Sequence, residues 1–139
     1  MKKIVLMILF FAGTFIVNSQ NERENIKKAL YHYIEGTANG EPERVKKAFH
    51  KDLNLYSIRK GELNVWDGKK YVGNIKPGRK SNRIGKIISI DYENNAAMAK
   101  LEIDMPDAKR IYTDYMLLLK VKGTWKVIHK SYTFIPYKK

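Results

Sequence analysis

Residues 110–132 read RIYTDYMLLLKVKGTWKVIHKSY, two strand-like runs joined by Lys122 and Gly123. Apolar side chains occur at both odd and even positions of each run, so both faces of this strand pair are largely apolar. Strands of this kind lie in the middle of a sheet, with other elements covering each face. The sequence therefore predicts a central strand pair inside a larger packed sheet.

The register of this hairpin decides which polar residues meet. A two-residue turn at Lys122 and Gly123 places Asp114 and His129 on one face as diagonal neighbours, about 7–8 Å apart at the backbone. The full set expected on that face is Tyr112, Asp114, Met116, Leu118, Trp125, Val127, His129 and Ser131. A one-residue bulge at Gly123 would instead separate the acid from the imidazole.

A second hairpin is predicted from GKIISIDY and AAMAKLEID, residues 85–92 and 96–104, which flank Asn94 and Asn95. Asparagine tolerates the left-handed conformation that a two-residue turn requires. The expected partners are Ile88 with Leu101, Ile90 with Ala99, and Tyr92 with Ala97. This register places apolar residues on one side and Ser89, Lys100 and Glu102 on the other.

Helical patterns precede these strands. Residues 25–40 place Ile26, Ala29, Leu30, Tyr33 and Ile34 on one face of a helix that ends at Gly36 or Gly40. Pro42 suits the first turn of a second, short helix. Extended segments follow at residues 50–58 and 61–68, with an Asp-Gly turn closing the second, then one helical turn at residues 69–75 and a loop at residues 76–83. Helices followed by strands indicate an α+β fold, in which a strongly twisted antiparallel sheet wraps a long helix and leaves an open cone.

The first nineteen residues differ from the rest. MKK is a basic start, fourteen apolar residues follow, and Val17 and Ser19 are small enough for signal-peptidase positions. The apolar run is shorter than the roughly 20 residues that span a bilayer. We therefore expect a signal peptide at 1–19, cleaved near Ser19 and Gln20, a domain at 20–139 without a stable membrane span, and export to a bacterial periplasm or the medium.

The amino-acid composition limits the kinds of functional site that the chain can form. The chain has no cysteine, which excludes disulfides, thiolate nucleophiles and zinc-cysteine sites. Its three scattered histidines do not suggest a metal site, and no phosphate-binding loop or nucleophile elbow occurs. The net charge of +13 is spread along the chain, densest at residues 76–83. We expect no nucleic-acid partner and no cofactor; the basic surface is either a solvated face or an adhesion surface for anionic envelope polymers.

Three stretches carry a resemblance to a known superfamily: ALYHYIEGTANGEPERVKKAFHKDLNLY, GKIISIDYENNAAMAKLEI and RIYTDYMLLLKVKGTWKVIHKSY. In this order they resemble the nuclear transport factor 2-like superfamily, also called SnoaL-like or ketosteroid-isomerase-like, and within it the "putative lumazine-binding" family. The resemblance covers nearly all of the chain after residue 20. It implies a cone-shaped fold with a cavity, often dimerised through its sheet. It does not imply one activity, because the superfamily contains isomerases, dehydratases, cyclases and proteins without known activity.

Candidate site residues follow from the predicted inner face and from the abundance of aromatic residues. The expected ligand pocket comprises Tyr33, Tyr56, Trp66, Tyr112, Asp114, Met116 and His129. Asp114 and His129 are also the candidates for proton transfer, although a structural hydrogen bond from Asp114 to Ser131, Tyr33 or a backbone amide explains a buried acid equally well. His50 either reaches the cone mouth or favours the end of the second helix.

The sequence leaves three functions open. The first is a non-enzymatic exported domain that binds a small hydrophobic or aromatic ligand, or pairs with a protein, including a second copy through the sheet. The second is a ketosteroid-isomerase-like enzyme that uses Asp114 and His129. The third is an adhesion or envelope component that uses its basic surface.

Overall fold

Two helices precede the strands along the chain, and the short helix expected near residues 69–75 separates the second strand from the third, as the sequence predicts. The computed structural model describes residues 2–138, with side chains described from residue 21 onward. The helices are α1 (Lys2–Asn39), α2 (Pro42–Ala48) and α3 (Gly68–Gly73). The strands are β1 (Phe49–Arg59), β2 (Glu62–Asp67), β3 (Ile84–Glu93), β4 (Ala96–Met105), β5 (Arg110–Val121) and β6 (Thr124–Pro136). A single 3₁₀ turn at Pro106–Ala108 joins β4 to β5.

The six strands form one curved, open sheet in the order β2-β1-β6-β5-β4-β3. Four neighbouring pairs are antiparallel, but β1 pairs with β6 in parallel. The sheet is therefore mixed, whereas the sequence predicted an antiparallel one. The physical reason is that β1 and β6 are not joined by a hairpin, so no turn constrains their relative direction.

The C-terminal half of α1 packs on one face of this sheet, which we call the inner face. The buried residues of α1 include Ile26, Ala29, Leu30, Tyr33 and Ile34, the set expected from the helical spacing. Ile34 approaches β3 at Gly85, where an added Cβ would lie 2.5 Å from Ile34 Cγ2. The lack of a side chain at Gly85 thus permits close contact between helix and sheet.

The ends of the helices have local causes. Gly40, with φ of +67°, follows the last residue of α1, while Gly36 lies inside the helix against Val45. Pro42 occupies the first position of α2, as predicted. The expected Asp-Gly turn after β2 is wrong: Asp67 caps α3 instead, its Oδ1 accepting from Lys70 N at 2.8 Å. Aspartate is among the best residues at this position.

Both predicted hairpins form, and both deviate from the predicted register at a bulge. In β3–β4, Ile90 faces Ala99 and Tyr92 faces Ala97, but Leu101 faces Ile87 rather than Ile88. Ile88 is therefore directed outward and is 51% exposed. A bulge adds a residue to one strand, so it reverses the faces of the residues beyond it.

The β5–β6 hairpin contains the more consequential bulge. Lys122 and Gly123 both have positive φ, so the two-residue turn forms and Val127 faces Leu118 as expected. Beyond Val127 the register shifts, and Leu117 faces His129 with Ile128 as the extra residue. The bulge therefore lies several residues beyond the turn, and it transfers His129 to the outer face of the sheet.

The predicted signal peptide coincides with the first half of α1, and its side chains lie outside the described residues. Among the residues that the structure describes, no helix has the length and apolar character needed to cross a bilayer.

Candidate functional site

A cavity of about 220 Å³ lies between α1, α3 and the inner face of the sheet. Its lining residues come from most elements of the fold: Tyr33, Leu55, Trp66, Tyr71, Arg83, Met105, Tyr112, Asp114, Lys130 and Tyr132. Trp66, Tyr112 and Tyr132 also line a wider surface cleft of about 880 Å³. The cavity therefore borders the cleft at these three rings, which we call its aromatic mouth, and its buried polar residues form its interior.

The interior holds three polar side chains that we call the polar cluster: Tyr33, Asp114 and Lys130. Asp114 Oδ2 accepts a hydrogen bond from Tyr33 Oη at 2.8 Å and lies 2.7 Å from Lys130 Nζ. Lys130 Nζ also lies 2.5 Å from Tyr33 Oη. Each member is at most 5% exposed. Such a buried ion pair is tolerated because each charge has both a counter-charge and a hydrogen-bonding neighbour.

Each member has a different structural origin. Tyr33 comes from the buried stripe of α1, whereas Asp114 and Lys130 come from β5 and β6. The bulge at Ile128 directs Lys130 inward, opposite Met116 and next to Asp114. The cluster is therefore a tertiary feature that local sequence does not encode.

Arg83, in the segment before β3, adds a second cation to the cavity. Its Nη2 donates to Tyr33 Oη at 3.3 Å, and its guanidinium lies 5.7 Å from the centre of the Tyr33 ring. Among the described residues, no carboxylate lies within salt-bridge distance of Arg83. The charged groups of the cavity are thus two cations and one carboxylate, which favours an anionic or electron-rich ligand.

Aromatic rings surround Lys130 Nζ, which lies 4.6 Å from the ring centre of Tyr33, 5.3 Å from that of Tyr132 and 5.7 Å from that of Tyr71. Burial, reinforced by the negative charge of Asp114, raises the pKa of Tyr33 well above 10. The phenol of Tyr33 therefore stays protonated at physiological pH and can act as a hydrogen-bond donor.

Among the described residues, only one of the two carboxylate oxygens of Asp114 has a hydrogen-bond partner. Its Oδ2 is shared by Tyr33 and Lys130, but its Oδ1 is buried with no hydrogen-bond partner among the described residues. Leaving such an acceptor without a donor costs about 1–3 kcal/mol. A ligand that donates a hydrogen bond to Oδ1 would remove this cost.

The structure places four of the seven predicted pocket residues around the cavity: Tyr33, Trp66, Tyr112 and Asp114. Tyr56 and His129 lie outside it, on the outer face, with their ring centres 4.6 Å apart in a stacked arrangement. His129 Nε2 is hydrogen-bonded to Ser131 Oγ at 2.7 Å instead of approaching Asp114. Met116 is buried in the core and does not line the cavity. The predicted acid–imidazole pair is wrong because the bulge at Ile128 separates its members.

The expected pocket omitted several cavity residues, of which Lys130, Arg83, Tyr71 and Tyr132 are polar. Lys130 is next to His129, so the predicted register placed it outside. Its position in an otherwise apolar strand was the only available hint. Arg83 belongs to a basic loop that resembled a solvated surface, and Tyr71 to a single helical turn. Neither position shows a pattern that distinguishes it from the surface.

His50 lies in a different groove and not at the cone mouth. This groove, of about 660 Å³, is lined by α2, the start of β1 and α3. His50 Nδ1 accepts a hydrogen bond from Asp52 N at 3.3 Å. Within the described part of the chain, no group of three or more His, Asp or Glu side chains is arranged to hold a metal ion.

The arrangement can bind and polarise a small molecule. Lys130 and Arg83 offer cationic donors, Tyr33 offers a hydrogen-bond donor, and Asp114 Oδ1 offers an acceptor that has no partner among the described residues. The aromatic rings at the mouth provide faces against which a flat apolar group can stack. These are the components of a ligand site with a few convergent polar groups in an apolar wall.

Comparisons with known proteins agree with this fold. A crystal structure of an NTF2-like protein of unknown function from Silicibacter pomeroyi DSS-3 superposes with a TM-score of 0.74 at 16% identity, covering 84% of this chain and 98% of the other. One from Shewanella baltica OS155 has a TM-score of 0.73 at 24% identity, covering 84% and 95%. These likenesses confirm the nuclear transport factor 2-like α+β fold that the sequence predicts.

Two sequence comparisons complete the assignment. The chain is 24% identical over 124 residues to a protein named aldolase FrzH from a Cladobotryum species, covering 85% of this chain and 95% of the relative. Residues 21–133 match the family model described as "putative lumazine-binding". The chain therefore belongs to the family described as "putative lumazine-binding", and it has the nuclear transport factor 2-like fold.

Proposed function

We propose that the protein binds a small organic molecule in the cavity, with a flat apolar body at the aromatic mouth and an anionic or accepting end at Arg83 and Lys130. The observation that carries this proposal is Asp114 Oδ1, a buried carboxylate oxygen that lacks a donor among the described residues and lies beside a cavity. The family name, which refers to the flat heteroaromatic compound lumazine, supports a small ligand of this shape.

The size of the cavity limits the ligand. A volume of about 220 Å³ is below the range of roughly 300–1,000 Å³ typical of pockets for drug-sized molecules. We therefore expect a ligand of about one or two rings. It would present a hydroxyl, amide or enol hydrogen to Asp114 and an oxygen acceptor to the two cations.

Direct binding measurements test this proposal. Thermal shift and calorimetry with lumazine, phenylpyruvate and the uncharged phenylacetone should show binding of at least one flat probe, tighter for the anionic one. Arg83→Gln should weaken the anionic probe selectively, because Arg83 has no carboxylate partner among the described residues. His129→Ala is the matched control and should leave binding unchanged, since His129 faces outward. The proposal fails if no probe binds the folded protein, or if binding is unaffected by changes within the cavity.

The ketosteroid-isomerase-like alternative loses the pair of residues assigned to it, because Asp114 and His129 lie on opposite faces of the sheet. A non-enzymatic binding role remains the first candidate, and the charge of the cavity supports it without requiring turnover.

Pairing of two copies through the outer face is a second candidate. Met98, Tyr115, Leu117 and Leu119 project from adjacent strands there and are 40–53% exposed. A patch of this kind is typical of an interaction surface. Sedimentation should detect a dimer that Leu117→Lys dissociates, whereas Lys122→Glu at the hairpin turn should leave it intact. A monomer at all concentrations would refute this pairing.

Export remains part of the proposal. The family match begins at residue 21, and Glu22 contacts Lys120 and Trp125. Cleavage near Ser19 and Gln20 would therefore leave the matched region and these contacts of its first helix in the exported domain. Expression with a C-terminal tag, followed by N-terminal sequencing of the exported product, should give a start near Gln20. Retention of Met1 would contradict it.

A further inference from the structure

Lys130 is a buried primary amine at a ligand-sized cavity, which is the least expected feature of the core. Lysine is rarely buried unless it is paired, and an apolar strand could have used a methionine at this position. Here the amine is 5% exposed, lines the cavity and lies among three tyrosine rings. Lysines that form imines lie in pockets where a carbonyl compound is held against the amine, and here Asp114 provides the base that must first take a proton from the ammonium.

Two neighbours of Lys130 can move protons. Asp114 Oδ2, 2.7 Å from Nζ, is placed to receive a proton from the ammonium. Tyr33 Oη, 2.5 Å from Nζ, remains a phenol because burial raises its pKa, so it can protonate an oxygen beside the amine. An amine, an acceptor and a donor thus meet at one edge of the cavity.

Arg83 adds selectivity for the substrate. Its guanidinium faces the same cavity, and no carboxylate pairs with it among the described residues. A carboxylate next to a carbonyl group would pair with Arg83 while the carbonyl approaches Lys130. An aromatic group two bonds further along would reach the rings of Trp66 and Tyr112.

We propose that Lys130 forms an imine with the carbonyl carbon of an aromatic 2-oxo acid held in the cavity. This inference rests on the proposed ligand-binding function and names the chemical class of its ligand. The likeness to a protein named an aldolase supports it, because an iminium withdraws electrons from neighbouring bonds, as aldol cleavage requires.

The reaction balances without any added oxidant or metal. The Lys130 ammonium passes one proton to Asp114, and the neutral nitrogen attacks the carbonyl carbon. Tyr33 protonates the resulting oxyanion and recovers a proton from the nitrogen, which gives a neutral carbinolamine. Protonated Asp114 then returns its proton to the hydroxyl group, which leaves as water while the nitrogen lone pair forms the C=N bond. The products are one iminium, one water molecule and the regenerated carboxylate.

Reductive trapping tests the imine directly. The full-length protein, or its exported form, is incubated with phenylpyruvate and cyanoborohydride, then digested and mapped by mass spectrometry. The peptide containing Lys130 should gain the mass of phenylpyruvate less one oxygen atom. Lys126 is the matched control amine: burial lowers its pKa, but it lies outside the cavity and donates to the carbonyls of Lys46 and Lys47.

Two variants complete the experiment. Lys130→Arg preserves the charge beside Asp114 and should abolish the adduct, whereas Lys126→Arg should retain it. Because Lys130→Arg could fold poorly, the mapping of the unaltered protein is the primary result. An adduct spread equally over Lys126 and other exposed lysines would overturn the inference.

Calorimetry separates failure of the inference from failure of the proposed function. Binding of phenylpyruvate without an adduct at Lys130 overturns the imine and leaves ligand binding intact. Binding of lumazine but not phenylpyruvate overturns the substrate class. Absence of binding by every probe, with no adduct, overturns both proposals.

Discussion

Removing the amine of Lys130 should destabilise the protein strongly, because it leaves a buried carboxylate without a counter-charge. In Lys130→Met the apolar stem is largely preserved, so the main loss is the ion pair at 2.7 Å and the donor to Tyr33. Asp114, 1% exposed and already without a partner for Oδ1 among the described residues, would then retain only its bond from Tyr33. Breaking one side of a buried pair typically costs about 3–5 kcal/mol.

Replacing the carboxylate of Asp114 by an amide should recover much of the stability that Lys130→Met loses. The double variant Lys130→Met with Asp114→Asn contains no uncompensated charge at this pair, and the oxygen of the new amide could still accept from Tyr33. We therefore expect the double variant to be at least about 2 kcal/mol more stable than Lys130→Met alone, so that the effects of the two changes are not additive. Asp114→Asn alone should also destabilise, since it leaves Lys130 unpaired.

Urea unfolding of all four proteins, followed by tryptophan fluorescence, measures these differences. In thermal unfolding, about 1 kcal/mol shifts Tm by roughly 4 °C in a domain of this size, so Lys130→Met should lower Tm by more than about 10 °C. His129→Ala serves as the control and should change the free energy of unfolding by less than about 1 kcal/mol. Strict additivity of the two changes, or a mild effect of Lys130→Met, would refute the buried ion pair.

Three further predictions concern Tyr33, Glu22 and Gly85. The raised pKa of Tyr33 means that its proton is bound more tightly in the folded protein, so its stabilising contribution is complete below about pH 10 and is lost as pH rises further. In alkaline unfolding above pH 10, the free energy of unfolding of the wild type should fall by up to about 1.4 kcal/mol per pH unit more than that of Tyr33→Phe. Hydrogen bonds from Lys120 and Trp125 lower the pKa of Glu22, so its contribution is present above about pH 4.5 and is lost as pH falls; Glu22→Gln should cost about 0.5–1 kcal/mol at neutral pH in urea unfolding, and a difference that persists in strong acid would contradict this. Gly85→Ala should cost about 1–3 kcal/mol by thermal unfolding, because its Cβ would lie 2.5 Å from Ile34 Cγ2, whereas Gly61→Ala at an open turn tests strain at positive φ without such a contact.

The order of elements, the buried face of the first helix and the two hairpin turns could be predicted because each depends on short-range chemistry. Helical spacing identified Tyr33 and Ile34, Pro42 marked the start of α2, and the expected two-residue turn at Lys122 and Gly123 formed, with positive φ at both residues. These features depend on residues within a few positions of one another, so the pattern along the chain contains most of the information about them.

The choice of polar residues that share the cavity depends on long-range packing. Strand periodicity is two, so the single extra residue at Ile128 moved His129 outward and Lys130 inward, and no sequence pattern marks that bulge. Arg83 and Tyr71 reach the cavity from a loop and a single-turn helix whose positions depend on the packing of the entire sheet. Local patterns along the chain were thus enough to specify a curved α+β cone, whereas contacts between distant segments placed an acid and an amine in its interior rather than an acid and an imidazole.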